Sequence, residues 1–147
     1  MANILDIPCL GRLDIVEIYE YYDQPVLFSC KNAAGHLYLV VAADENDQYE
    51  TWFYASVSTE RLNLIRSGGI DLHDAFSDPE DGCILQVRFP YSEQTELQIE
   101  SVQSNKIPED MLPTSGECLD LETETLPELS NPEEIVRTTK QEIMSLK

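Results

Sequence analysis

From Leu13 to Ala55 the chain consists of apolar runs rich in β-branched and aromatic residues divided by short polar turns, the pattern of β-structure. Leu13 to Tyr22 is rich in β-branched and aromatic residues and predicts a strand. Asp23-Gln24-Pro25 predicts a turn, and Val26 to Cys30 a second strand. Asn32-Ala33-Ala34-Gly35 carries turn chemistry, with Gly35 free to adopt positive φ. His36 to Ala43 is apolar at nearly every position, which predicts a central strand covered on both faces. Asp44-Glu45-Asn46-Asp47 predicts a hairpin loop and Tyr49 to Val57 a fourth strand. Loops this short favour an antiparallel meander, because a parallel crossover needs a dozen or more residues.

The period changes after Val57. Ser58 is a good N-cap for a short helix to about Ser67, with Leu62 and Ile65 on one face, and Gly68-Gly69 suits its C-terminus. Asp71 predicts a cap for one further turn carrying Leu72, Ala75 and Phe76. Strict alternation follows: Cys83, Leu85, Val87 and Phe89 against Ile84, Gln86 and Arg88, then Thr95, Leu97, Ile99 and Ser101 against Glu96, Gln98 and Glu100. Pro90 to Gln94 is the expected hairpin loop between them.

After Lys106 the chain turns acidic and is broken by Pro108, Pro113, Gly116 and Pro127, which predicts a linker or a segment draped over the domain. Asn131-Pro132-Glu133-Glu134 is a strong helix start, and Ile135, Thr139, Ile143 and Leu146 follow at helical spacing. That apolar stripe calls for packing on the sheet, on further chain, on a partner, or on a second copy in a homo-oligomer. The expected fold is α+β: a mainly antiparallel sheet of about six strands with one short helix after the fourth, and a C-terminal helix. The expected organisation is a sheet domain at 1–106, an acidic connector at 107–131 and the helix at 132–147.

Two stretches carry a resemblance. Gly11-Arg12-Leu13-Asp14-Ile15-Val16-Glu17-Ile18-Tyr19-Glu20-Tyr21-Tyr22-Asp23 with Pro25-Val26-Leu27-Phe28 is one. Ser58-Thr59-Glu60-Arg61-Leu62, running on to Ile70-Asp71-Leu72-His73-Asp74-Ala75-Phe76, is the other. Together they resemble an uncharacterised bacterial domain-of-unknown-function family, most clearly over residues 10–76. The resemblance implies that related chains are often longer. It brings no activity and no site residue.

Composition narrows the function classes. The 147 residues hold 28 acids against 9 bases, a formal net charge of −19. The imbalance belongs to the body of the chain, since 22 acids and 6 bases fall before residue 121. A field of this sign repels phosphate backbones and anionic headgroups, so neither nucleic acid nor membrane is expected as a partner, and a protein, particularly a basic one, is. Hydrophobic residues make up 42 %, enough for a core. No apolar run approaches the roughly 18 residues of a membrane span. The N-terminus lacks the basic flank and apolar centre of a secretion signal, so the chain reads as cytoplasmic. Cys9, Cys30, Cys83 and Cys118 are widely spaced and form neither a zinc pattern nor a disulfide framework. No cofactor is expected.

Candidate chemistry is sparse. Arg61, Arg66 and His73 predict either a small cationic recognition spot or ordinary surface pairing, with Asp71 as a helix cap. His73 and Asp74 near Asp78, Glu80 and Asp81 supply oxygen and nitrogen ligands without the spacing of a calcium loop. Asp44-x-Asn46 begins such a loop and then departs from it. Cys30 is flanked by Lys31 but lies mid-strand, where a buried structural thiol is the expected state. Tyr19, Tyr21, Trp52 and Tyr54 fall on neighbouring strands and predict either an aromatic binding face or core filling. The leading expectation is a non-catalytic protein-interaction domain of the adaptor or sensor kind. An acidic inhibitor or immunity-type protein, nucleic-acid mimics included, that blocks a basic site is the alternative. A small metal-assisted hydrolase around His73 and Asp74 is the second alternative.

Overall fold

The strand-like segments form one six-stranded antiparallel sheet in strict chain order. The computed structural model describes residues 3–92, 94–119 and 121. Two short strands come first, β1 (Asp6–Ile7) and β2 (Gly11–Arg12), paired as a small hairpin. The meander follows: β3 (Asp14–Tyr22), β4 (Gln24–Lys31), β5 (Leu37–Glu45), β6 (Tyr49–Val57), β7 (Cys83–Pro90) and β8 (Gln98–Gln103). Every neighbouring pair is antiparallel. The two helices, α1 (Thr59–Ser67) and α2 (Leu72–Ser77), lie in the single long connection, between β6 and β7.

Cross-strand register sorts the side chains into two faces, because residues two apart on a strand share a side. On one face Leu27, Leu39, Phe53, Ala55 and Ile84 pack under Leu62 and Ile65 of α1 and Leu72, Ala75 and Phe76 of α2. On the other, Phe28, Cys30, Val40, Trp52, Tyr54, Val87 and Phe89 pack under Ile4, Ile7 and Leu13 of the N-terminal hairpin. The Tyr54 hydroxyl donates to the Ile4 carbonyl at 2.8 Å and pins that hairpin down. β5 is covered on both faces over residues 37–41, as its apolar run predicts, and opens from Ala42 onward.

The helix boundaries follow the predicted chemistry. Ser58, in extended conformation, accepts from the Arg61 amide at 3.1 Å, and Gly68 closes α1 at φ 87°. A Cβ on Gly68 would lie 2.8 Å from the Leu119 carbonyl oxygen, so the glycine also admits the chain segment that returns over α1. Asp71 caps α2 by accepting from the Asp74 amide at 2.7 Å.

Three features differ from the sequence expectations. The hairpin β1–β2 has no counterpart in the sequence pattern because each strand is two residues long, too short to carry a period. The β3–β4 turn is centred on Asp23 at φ 60°, and Pro25 sits inside β4, opposite Tyr21. The last strand begins at Gln98, three residues later than its alternation suggests. Of the two arrangements expected after Lys106, the described residues adopt the draped one: Ile107 is buried, and Met111, Leu112 and Leu119 pack half-buried on the helix-covered core. The expected C-terminal helix, and any homo-oligomer through it, lies outside the described residues.

Candidate functional site

Tyr19, Tyr21, Trp52 and Tyr54 lie on strands of one sheet, and the structure divides them by depth. Trp52 and Tyr54 are completely buried, so neither offers a face to a partner: both belong to the core beneath the N-terminal hairpin. Trp52 stacks obliquely on Phe28 with ring centroids 6.4 Å apart. Burial, then the neighbouring Cys30 and Glu50, drives the Tyr54 phenol well above its ordinary range. Tyr19 packs half-buried on the helix-covered core, with its hydroxyl 3.0 Å from Ser29 Oγ. Tyr21 is 41 % exposed. Two register shifts between Ile18 and Tyr21 interrupt the alternation that would have set these two tyrosines side by side.

The three predicted cations form no common spot, because each is held by a separate structural partner. Arg66 reaches across to β3, with Nε 2.6 Å from Glu17 Oε1 and Nη2 3.1 Å from Oε2, both side chains largely buried. Arg61 donates through Nη2 to the carbonyls of Asp74 and Asp78, which closes the C-terminal end of α2. His73 Nε2 lies 2.5 Å from Glu109 Oε1, and Nδ1 lies 3.4 Å from Asp74 Oδ1. The Glu109 contact in particular raises the imidazole above its ordinary pKa.

Ligand atoms of Asp71, His73 and Asp74 do fall within 4.8 Å of one another. Both Asp71 oxygens are already engaged, one by the Asp74 amide and the other by the Gly116 amide at 3.0 Å. Those N–H groups hold its carboxyl below the usual range. The cluster is a helix cap that also ties down the returning chain. Cys30 is likewise structural: burial, with Asp14 adding, pushes its thiol up to about 12, far from a nucleophile at neutral pH. Its neighbour Lys31 does not activate it.

The concave surface lies elsewhere. In a meander every second turn falls at the same end of the sheet, so the β3–β4 turn, the β5–β6 turn and the β7–β8 loop converge. Between them is a cleft of about 800 Å³, on the face that carries Trp52. Its apolar floor includes Val26, Ala42 and Phe89. Asp23, Asp44, Glu45 and Glu50 line it, and Tyr22 and Tyr91 border it, 79 % and 53 % exposed. Glu50 is fixed in place, for its Oε1 accepts from Trp52 Nε1 at 2.7 Å and from Gln24 Nε2 at 3.2 Å. The Asn46 side chain accepts from the Gln48 and Tyr49 amides, both at 2.8 Å, and so shapes the central turn. The Tyr91 amide donates to the Gln48 carbonyl at 3.2 Å and joins two of the tips. Desolvation, then Glu45, Glu50 and Asp47, raises the Tyr91 phenol.

A second recess of about 210 Å³ lies on the helix-covered side, between Leu27, Val41 and Ala43 of the sheet and Met111, Leu112 and Pro113 of the returning chain. Glu20 and Glu117 both line it, and burial followed by the Glu117 charge raises the Glu20 carboxyl.

None of the tip residues was assigned a site role from sequence. The signal was present in the order of short loops, since alternate turns of a predicted meander must share an end.

A model of a family of unknown function (DUF6575) matches residues 2–147, and the chain belongs to that family. No curated protein and no solved structure matches it. No helix among the described residues is long and apolar enough to cross a membrane.

Proposed function

We propose that the chain is a non-catalytic protein-interaction domain, an adaptor or sensor module that engages a basic partner. One observation carries this reading. The acid-lined, tyrosine-bordered cleft faces outward, whereas Arg61, Arg66, His73 and Asp71 are engaged in holding the fold together. Clefts of roughly 300–1,000 Å³ are the usual size for ligand recognition. A mixed apolar and anionic lining suits a cation with an aliphatic stem. The reading takes the protein to be cytoplasmic, in keeping with four free thiols. It assigns no cofactor and no nucleic-acid ligand.

Calorimetric titration of the full chain with arginine-rich, neutral and acidic peptides, each at low and high ionic strength, tests the reading. Binding confined to the basic peptide and weakened by salt is the expected result. Equal binding of all three peptides, or of none, would exclude it. The inhibitor reading predicts in addition that the chain competes with nucleic acid for its basic target, so competition in the same titration would favour that alternative.

A further inference from the structure

The geometry points to a particular occupant of the cleft: an extended arginine- or lysine-bearing segment of another protein. Its aliphatic stems would lie over Val26, Ala42 and Phe89, and its cationic heads among Asp44, Glu45 and Glu50, between the rings of Tyr22 and Tyr91. This assignment rests on the interaction reading above and names the surface and chemistry through which that reading works.

The lining contains the three components that an arginine or lysine side chain needs. The first is apolar floor, on which the methylene stem stays out of water while the head remains at the rim. The second is a fixed counter-charge. Glu50 is held by Trp52 and Gln24, so little side-chain entropy remains to be lost when a cation arrives. The third is aromatic surface, since a cation within about 6 Å of a tyrosine ring is attracted by its negative face. The charges of Glu45, Glu50 and Asp47 all act on the Tyr91 hydroxyl, so the tip of that ring stands in a concentrated negative field.

Charge also selects among the macromolecules that fit an open groove. A second copy of this chain would bring its own net charge of −19 against the acidic rim. The residues after 120 hold 6 acids against 3 bases, so this chain's own C-terminal stretch is the wrong sign as well. Nucleic acid meets the same repulsion. The volume exceeds a single side chain, which favours a segment carrying more than one cation over an isolated amine.

The test uses the full chain and two synthetic hexapeptides, one of arginine and one in which citrulline replaces arginine to keep shape and hydrogen-bonding groups but lose the charge. Amide resonances of Tyr22, Asp23, Gln24, Val26, residues 42–50, Phe89 and Tyr91 are expected to move with arginine peptide and to stay still with citrulline peptide. The double variant Asp44→Asn/Glu45→Gln is expected to weaken arginine-peptide binding about tenfold, and Tyr91→Ala about fivefold. A charge-matched control at the far end of the sheet, Glu60→Gln/Asp78→Asn, is expected to change it less than about twofold. Circular dichroism on each variant shows whether it is folded, and these exposed positions are chosen because none supports the core. If the control weakens binding as much as the cleft variant, the field is diffuse and the cleft assignment falls while the interaction reading stands. If wild-type chain binds neither peptide at low salt, the interaction reading itself falls. Movement of the same resonances on simple concentration, with a doubling of mass, would give the cleft to a second copy instead.

Discussion

The two faces of the sheet are both apolar, yet they are closed in different ways. The face under α1 and α2 is sealed along its length by the helices and by the returning chain from Ile107 to Leu119, and its charged groups are turned inward to hold that cover in place. Among the described residues, the face under the N-terminal hairpin is covered by Ile4, Ile7 and Leu13, with Leu5, Leu10 and Leu97 packed beside them. Beyond them, toward the hairpin tips, the same apolar surface continues into the cleft, whose lining includes Asp23, Asp44, Glu45 and Glu50. Under the proposed reading, a polar side chain among the described residues is therefore structural or available for binding according to which cover lies over it. Residue type alone does not decide, for Glu17 and Glu50 are both strand glutamates, one paired with Arg66 and the other bordering the cleft.

The largest test of this contrast is to remove one large side chain from each face. Phe76→Ala on the helix-covered side and Trp52→Ala on the hairpin side are each expected to cost about 3–5 kcal/mol in urea unfolding. A loss below about 1 kcal/mol at Trp52 would mean that the hairpin face is not a true core. The pair also separates binding from stability. Trp52→Ala frees Glu50 and is expected to weaken arginine-peptide binding in protein that is still folded, and Phe76→Ala is not.

Next in size is the Arg66–Glu17 pair. Arg66→Ala leaves Glu17 without its counter-charge beneath α1 and is expected to cost about 3 kcal/mol, because breaking a largely buried pair strands a charge. Adding Glu17→Leu to Arg66→Ala should recover most of that loss, as apolar replacements of buried pairs commonly do. If the double variant is no better than the single one, the pair is not a unit and the inward-turned charges are incidental.

Much of this frame was legible in the residues. Four of the six strands, both helix caps and the Gly68 stop follow directly from strand patterning, Ser58, Asp71 and glycine. The misplaced features share a cause, which is that they depend on contacts distant in sequence. The N-terminal hairpin holds together because Tyr54 reaches Ile4, and no local pattern around Asp6 and Gly11 encodes that bond. Trp52 and Tyr54 could be placed on one face from their spacing, but whether that face is wet depends on a hairpin some forty residues earlier. Arg66 and His73 looked like surface cations because their acidic partners, Glu17 and Glu109, lie 49 and 36 residues away. The cleft was hidden for the opposite reason. Each tip reads as an ordinary turn, and only the sheet order brings the tips together.

Gly68→Ala probes the seal itself. Alanine is strained at φ 87°, and its Cβ would meet the Leu119 carbonyl oxygen at 2.8 Å. A cost of about 2 kcal/mol in urea unfolding is expected, with amide exchange fastest around Leu119 and Leu121 because the latter's amide bonds to the Arg66 carbonyl. Exchange that quickens equally in the N-terminal hairpin would show that the two covers are not independent.

The smallest effect is that of pH on the same seal. His73 has a folded pKa above its usual value of about 6.5, so its stabilising contact with Glu109 is fully present below that value and is lost as pH rises through the folded one. Glu20 is raised as well, by burial and then by Glu117, so it too favours the folded chain on the acid side and less so as pH climbs. Asp71 runs the other way: its pKa is lowered, so its cap is present above about 3.9 and lost as pH falls through the folded value. The returning chain should therefore be held best in mildly acid solution and loosen toward neutral pH. The sign is checked by following the exchange of the Gly116 and Leu121 amides from about pH 5 to about pH 8, corrected for intrinsic rates. His73→Gln should remove part of the loosening, and Glu20→Gln a further part. Protection that rises with pH in the wild-type chain would mean that the acidic groups facing this segment do not repel it. The contrast between a sealed face and an open one would then rest on the apolar contacts of Ile107, Met111 and Leu112 alone.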